Sequence, residues 1–150
     1  MIEKIAKTKG KILAVDFGDT RTGLAVSDIS RFLASGLGYV SPGGIVKTAD
    51  AVAAKAKELG VAAIVVGLPV NMNGTEGPRA ARCREFAQLL GERLPDVAID
   101  MIDERLTTVE ASRYLNATDT RGKKRKGVID SLSAEIMLQN TLDKLKIMRL

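Results

Sequence analysis

The stretch from Lys11 to Asp28, KILAVDFGDTRTGLAVSD, constrains the fold more than any other part of this 150-residue chain. An apolar run over 12–15 ends at Asp16, and a polar turn containing Gly18 leads into a second apolar run. Consecutive apolar positions are typical of strands that are covered on both faces of a sheet, so the stretch predicts a buried β-hairpin. A carboxylate at the end of such a strand is costly unless a cation or solvent meets it, which makes Asp16 the first candidate functional residue.

The remainder of the chain alternates between strand and helix patterns. Short β-branched runs predict strands, and apolar residues at helical spacing predict helices. The predicted elements are a strand over Arg31–Val40, a helix over Thr48–Leu59, a buried strand over Val61–Gly67, a helix over Pro78–Leu94, a strand over Val97–Ile102, a short helix over Thr107–Leu115, a polar loop over Asn116–Lys126 and a last helix over Gly127–Leu145.

Short turns and right-handed crossovers join these elements into a mixed five-stranded sheet with helices on both faces. The first three strands are antiparallel, and the two later strands run parallel to the first, which gives the strand order 3-2-1-4-5. No linker or internal repeat is visible, and 45% hydrophobic composition is enough to fill one core. We therefore predict a single α/β domain over residues 1–150.

The chain contains no histidine and a single cysteine, Cys83. This composition excludes Ser-His-Asp triads, Cys-His nucleophile pairs and the common zinc sites, so acid–base chemistry must come from carboxylates, lysine, tyrosine or metal-bound water. Cys83 recurs at helical spacing with apolar residues, which favours a core position over a reactive one. We find neither a membrane-spanning run of about 20 apolar residues nor a secretory signal, and we expect a cytoplasmic protein without a membrane partner.

The formal charge of +5 is concentrated in the segment RGKKRK. A dense basic loop suits a nucleic-acid phosphate backbone, although a solvated surface loop without a ligand has the same composition. Aromatic residues make up 3% of the chain, so stacking on bases is not expected and recognition should depend on shape and backbone. The candidate contacts of this segment are Arg121, Lys123, Lys124, Arg125 and Lys126.

Acidic residues follow the first and fifth strands and recur on the inward arc of the last helix: Asp16, the pair Asp103-Glu104, and Asp130. Parallel strands end at the same edge of a sheet, so these carboxylates should converge there and repel one another. Mg²⁺ or Mn²⁺ would relieve this repulsion and support phosphodiester hydrolysis, in which one ion activates water and a second stabilises the leaving oxygen. Taken singly, each acid also has a structural explanation in a turn, a strand end or a helix start.

Other polar residues are predicted at the same edge. Asp103 and Glu104 point to opposite faces of a regular strand, so only one of them easily reaches Asp16. Arg21 and Arg105 can hold a phosphate, or they can neutralise the acids when metal is absent. Asn73 lies in a glycine-containing loop that can admit nucleic acid.

Four blocks of the sequence together resemble one family. They are DFGDTRTGLAVSD from Asp16, VGLPVNMNGTEG from Val66, DERLTTVEA from Asp103 and KGVIDSLSAEIMLQ from Lys126. These blocks are similar to the YqgF/RuvX family of Holliday-junction-resolvase-like proteins in the RNase H-like superfamily. The resemblance implies an RNase H-like nuclease fold with Asp16, Glu104 and Asp130 as an acidic triad around one or two Mg²⁺ or Mn²⁺ ions. It also implies structured RNA or branched DNA as substrate, through maturation of the 5′ end of pre-16S rRNA or resolution of junctions.

One departure from the wider superfamily concerns the fourth strand. Relatives of the RuvC type carry an acid near its end, where this chain has Leu68 and Pro69, so that acid must come from the fifth strand. The resemblance favours Glu104, with Asp103 as the alternative.

Two other functions and the subunit number stay open at this point. A nucleic-acid-binding module that does not cleave is one alternative. A nucleotide phosphate loop of an ATPase at Asp16-Phe17-Gly18 is another. The chain is short for that function, because actin-like ATPases pair two such domains around the nucleotide. A resolvase would act as a homodimer, because a four-way junction has twofold character, whereas an RNA-trimming enzyme can act as a monomer.

Overall fold

A computed structural model describes the backbone of residues 2–104 and 122–148, and the side chains of residues 2–104 and 131–148. Within these ranges the chain forms five strands and four helices. In chain order they are α1 (Glu3–Ala6), β1 (Ile12–Asp16), β2 (Thr22–Ser27), β3 (Ala34–Val40), α2 (Ile45–Leu59), β4 (Ala63–Leu68), α3 (Pro78–Arg93), β5 (Ala98–Asp103) and α4 (Gly122–Met148). The helix predicted over Thr107–Leu115 lies outside the described residues.

The five strands form one sheet in the order β3-β2-β1-β4-β5, which confirms the predicted topology. β1 pairs antiparallel with β2 and parallel with β4, while β4 pairs parallel with β5. β1 is buried up to its last residue, and β4 is buried throughout. Their β-branched and apolar sequences stabilise this central position because both faces of the sheet are covered.

Helices cover both faces of the sheet, as predicted, and each face has its own core. Successive residues of β1 and β4 alternate between the two cores, as the pleat of a strand requires. On one face, α2 and α3 pack on Leu13, Val15, Ile64 and Val66 through Val52, Ala56, Phe86 and Leu90. On the other face, α1 and α4 pack on Ile12, Ala14, Ala63 and Val65 through Ile5, Met137, Leu138 and Leu142.

α2 begins earlier than the sequence pattern predicts. The pattern places Thr48 at the cap, but the helix begins at Ile45, with Gly44 as its N-cap residue and no capping side chain. The Thr48 hydroxyl donates to the carbonyl oxygen of Gly44 at 2.7 Å, one turn back, so Thr48 lies inside the helix. The predicted end at Leu59 is confirmed, and Gly60 after it has the left-handed backbone that favours glycine there.

Residues 122–126 of the basic segment are helical in the structure, which corrects this part of the predicted loop. α4 begins at Gly122, so residues 123–126 belong to its first turns. Lysine and arginine are good helix formers, and polarity alone does not separate a loop from a solvated helix start. Although α4 has 27 residues, no helix in the described ranges is long and apolar enough to cross a bilayer.

The end of the sheet opposite to the turn after β1 is held by polar contacts. The Asp28 carboxylate accepts hydrogen bonds from the backbone N–H groups of Phe32 (2.8 Å) and Leu33 (3.1 Å), which lowers its pKa. Arg31 is buried, and its guanidinium donates to the carbonyl oxygens of Gly10 and Ile5. Asp28 is therefore a structural carboxylate at the far edge.

Candidate active site

Asp16 is the last residue of β1, where the buried strand reaches the turn into β2. This turn is tight: a side chain at Gly18 would collide with the carbonyl oxygen of Arg21. The buried Thr22 hydroxyl lies 3.4 Å from both the N and the O of Gly18 and closes the turn. A rigid strand and a closed turn thus fix where the Asp16 carboxylate emerges.

Glu104 follows β5 directly and reaches back across β4. Its backbone N–H donates to the carbonyl oxygen of Leu68 at 3.2 Å, which continues the pairing of the two strands by one residue. The Glu104 carboxylate lies against Gly67, in the space that a side chain at that position would fill. There it is hydrogen-bonded to the carboxylate of Asp16, two strands away in the sheet.

The electrostatics of this pair follow from burial. Burial and then the charge of Asp16 raise the pKa of Glu104 to about 8, and the hydrogen bond to Asp16 adds to this shift, while the charge of Arg79 opposes it. Two carboxyl groups can be hydrogen-bonded to each other only when they share a proton. With its raised pKa, Glu104 is the carboxyl group of the pair that keeps a proton near neutral pH.

Cys83 lies behind the acid pair and is 1% exposed, which confirms its predicted core position. Burial raises the pKa of its thiol to about 12, and the charges of Glu104 and Asp16 add to the effect. The thiol stays protonated, so it has no nucleophilic role at neutral pH.

The other two predicted acids have different positions. Asp103 ends β5 and is exposed; with Asn140, Asp143 and Lys144 it lines a cavity of about 270 Å³ between β5 and α4. Asp130 lies in α4, and its side chain is outside the described side chains. Among the described side chains no group of three metal-binding residues occurs, so the described part of the site is the pair Asp16 and Glu104.

Two of the predicted nucleic-acid contacts lie at loops of this edge. The Arg21 guanidinium is 5.5 Å from the ring centre of Tyr39, a cation–π contact. The Asn73 side-chain oxygen accepts hydrogen bonds from the N–H (3.1 Å) and hydroxyl (2.6 Å) of Thr75 and so shapes the loop before α3.

The remaining predicted contacts belong to the basic segment and its surroundings. Arg105 and Arg121 lie outside the described residues. Lys123, Lys124, Arg125 and Lys126 are helical in backbone, and their side chains are outside the described ones. Their contact with nucleic acid stays a prediction.

A family model described as RuvX, Holliday junction resolvase, matches residues 10–144. The chain belongs to the RuvX family. This confirms the resemblance predicted from the four sequence blocks, and it identifies the chain as a nuclease.

Curated relatives of this RuvX-family chain match it over almost their whole length. A protein of Ruminiclostridium cellulolyticum named "Putative pre-16S rRNA nuclease" is 40% identical over 136 residues, which are 90% of this chain and 95% of the relative. A protein of Nitrobacter hamburgensis with the same name is 42% identical over 141 residues, covering 94% and 86% of the two chains.

Solved structures support the RNase H-like fold. Thermus thermophilus RuvC, in complex with a Holliday junction substrate, is similar with a TM-score of 0.53 over 90% of this chain and 94% of that one, at 12% identity. Fowlpox virus resolvase, also solved with Holliday junction DNA, gives a TM-score of 0.53 over 88% and 98% of the two chains, at 10% identity. At these identities the similarity concerns the fold.

The RuvX-family chain has Leu68 and Pro69 where an acid is expected in RuvC-type relatives. In the structure the Glu104 carboxylate reaches the neighbouring point on β4, above Gly67. The residue after the fifth strand thus brings a carboxylate to the edge of the fourth strand, and its catalytic role stays a prediction. The sequence analysis missed Gly67 itself, since its importance depends on the register between β4 and β5 (Gly67 opposite Ile102).

Arg79 is a second residue that the sequence analysis missed. It lies in the first turn of α3, directly after Pro78, and its charge opposes the rise in the pKa of both Glu104 and Cys83. The signal was available: α3 follows the loop after β4, so its first turn must lie at the edge where β1 and β4 end.

Proposed function

We propose that this RuvX-family chain is a metal-dependent nuclease that hydrolyses phosphodiester bonds with Asp16, Glu104 and Asp130 as its acidic residues. One observation carries the proposal: the carboxyl groups of Asp16 and Glu104, from strands two apart in the sheet, meet in a half-buried position. Such a pair is unfavourable for stability, and sites of this kind are commonly functional. Asp130 enters through the family resemblance.

The donor set fits one or two Mg²⁺ or Mn²⁺ ions. Carboxylate oxygens are hard ligands, and a divalent cation between Asp16 and Glu104 would replace the proton that they share. When bound, the cation polarises the phosphoryl oxygens and stabilises the negative charge that develops during hydrolysis. Strand pairing fixes the positions of Asp16 and Glu104. β1, which ends at Asp16, pairs with β2 on one side and with β4 on the other, and the backbone N–H of Glu104 is hydrogen-bonded to β4.

We propose the 5′ end of pre-16S rRNA as the substrate, on the basis of the names of relatives that are 40% identical or more over most of both chains. This role implies a cytoplasmic location, and a single subunit is sufficient for it. The second candidate is a four-way DNA junction, which the family description favours and for which a homodimer is expected.

The decisive experiment compares cleavage of a pre-16S transcript with a 5′ extension and of a four-way DNA junction by one preparation, with Mg²⁺, with Mn²⁺ and with EDTA. Cleavage of the transcript at its 5′ extension, lost in EDTA, is the expected result. Asp16→Asn should reduce the rate at least about a hundredfold while leaving the circular dichroism spectrum unchanged. Asp96→Asn, which removes the same charge from an exposed position, is the matched control.

Each alternative has its own outcome in this experiment. Preferred cleavage of the junction, together with a dimer in sedimentation, would replace the RNA substrate with branched DNA. Binding of both nucleic acids without cleavage under any metal condition would refute the nuclease and leave a binding module. Equal cleavage by the Asp16→Asn variant would remove the acid pair from the mechanism.

A further inference from the structure

Arg79 lies at the edge of the sheet where the acid pair lies. The loop over 69–77 leaves β4 at the edge where β1 ends, and α3 begins immediately after it at Pro78. Arg79 is therefore in the first helical turn at this edge, and it is exposed to solvent.

The packing of α3 fixes the position of that turn. Phe86 stacks on Phe17, the residue after Asp16, with ring centres 4.6 Å apart. Arg82 forms an ion pair of 3.5 Å with Asp19 in the same turn. Cys83, one helical turn after Arg79, is buried behind the acid pair. These contacts hold the side of α3 that carries Arg79 against the end of β1.

The other arginines of α3 are engaged by acidic side chains. Arg82 pairs with Asp19 and Glu85, Arg84 makes two hydrogen bonds to Glu76, and Arg93 pairs with Asp50. Within the described part of the chain Arg79 makes neither a hydrogen bond nor an ion pair. Its charge nevertheless acts on Glu104, since it opposes the rise in the pKa of that carboxyl group. Its guanidinium donors are thus not engaged by acidic side chains, at the edge of the sheet where the acid pair lies.

We propose that Arg79 binds a phosphate of the nucleic-acid strand that lies on the Asp16–Glu104 pair. A guanidinium donates two parallel hydrogen bonds to phosphate oxygens, and its positive charge holds the phosphate close to two acidic groups that would otherwise repel it. The inference rests on the proposed nuclease function and adds a substrate-binding residue on α3 to it.

The experiment measures binding in an Asp16→Asn background, in which cleavage is blocked and one of the two acids is already neutral. A labelled RNA carrying the 5′ precursor end is titrated over a salt series with Arg79→Gln, Arg79→Lys and Arg84→Gln added to that background. Arg79→Gln should raise Kd about ten- to hundredfold and flatten the salt dependence by about 0.7–0.9, the value for a single neutralised phosphate. The Kd of Arg79→Lys should lie between that of the Asp16→Asn background alone and that of Arg79→Gln, because lysine keeps the charge but not the paired donors.

Arg84→Gln is the matched control, since it removes the same charge from the same helix at a side chain that Glu76 already occupies. An equal effect of Arg79→Gln and Arg84→Gln would overturn the proposal. So would a loss of cleavage in the Asp16-containing protein without any change of Kd in the Asp16→Asn background, because Arg79 would then act only by offsetting the acids. Failure of the unmodified protein to cleave refutes the nuclease function alone, and the Kd series still decides the role of Arg79.

Discussion

Gly67 is the residue on which the geometry of the acid pair depends. A side chain there would overlap the carboxylate of Glu104, and its Cβ would also lie 3.2 Å from the sulfur of Met137. Glycine at this position serves close approach rather than a special backbone conformation. The reach of Glu104 across β4 is possible only because that strand presents a bare backbone at this point.

We predict that Gly67→Ala reduces nuclease activity about a hundredfold, because it displaces the Glu104 carboxylate from Asp16 by roughly an ångström. Cleavage of the preferred substrate under saturating metal measures this effect, and thermal unfolding shows whether the fold is kept. Gly91→Ala is the control: a Cβ at Gly91 meets no atom within 4 Å, and alanine favours the helix. Full activity of Gly67→Ala would show that Glu104 does not act from its observed position.

At the scale of elements, α4 changes the interpretation of the basic segment. Positions 123 and 126 are three residues apart and lie on one side of the helix, whereas positions 124 and 125 lie on another. In a loop, all four positions could turn towards the same strand of nucleic acid. In a helix, they cannot be equivalent.

We therefore predict unequal effects from two double variants, Lys123→Gln/Lys126→Gln and Lys124→Gln/Arg125→Gln. Removing the two basic residues that bind the substrate should flatten the salt dependence of duplex binding by about 0.9 for each phosphate that is no longer neutralised. Removing the other two should have a smaller effect. Lys47→Gln/Lys57→Gln on α2 removes the same charge from exposed positions and serves as control. If both basic pairs behave like this control, the segment is a solvated helix start without a ligand.

The elements that sequence predicts well are those whose pattern has one physical solution. The apolar runs of β1 and β4 fit only strands buried on both faces, and Gly60 and Pro78 fit only a helix end and a helix start. Thr48 is ambiguous, because its hydroxyl can cap a helix or donate to a carbonyl oxygen one turn back, and Gly44 is the N-cap residue instead. Strand periodicity cannot decide between Asp103 and Glu104, since the choice depends on which face of β5 is turned towards Asp16.

At the scale of the whole molecule, the acid pair lowers the stability of the metal-free protein. The pKa of Glu104 is about 8 in the folded protein, compared with an ordinary value of 4.5. The folded chain therefore binds the proton more tightly than the unfolded chain does. The stabilisation that this proton gives to the folded chain is fully present below pH 4.5 and is lost as pH rises through about 8.

We predict that the free energy of unfolding in EDTA falls by a few kcal/mol between pH 4.5 and pH 9 because of this group, since one pKa unit corresponds to about 1.4 kcal/mol. Urea denaturation at both pH values should show the fall in the unmodified protein and a much smaller one in Glu104→Gln. Glu92→Gln, an exposed change on α3, should behave like the unmodified protein. Parallel pH profiles for all three proteins would contradict the shared proton.

The burial of Cys83 gives the protein a built-in reporter. It is the sole thiol of the chain, and it is covered by α3 directly behind the acid pair. A disulfide reagent can reach it only when α3 separates locally from the sheet, so the rate of modification in native buffer reports how often this packing opens. No label has to be engineered, and a slower rate upon addition of metal or nucleic acid would directly record that the ligand stabilises this packing.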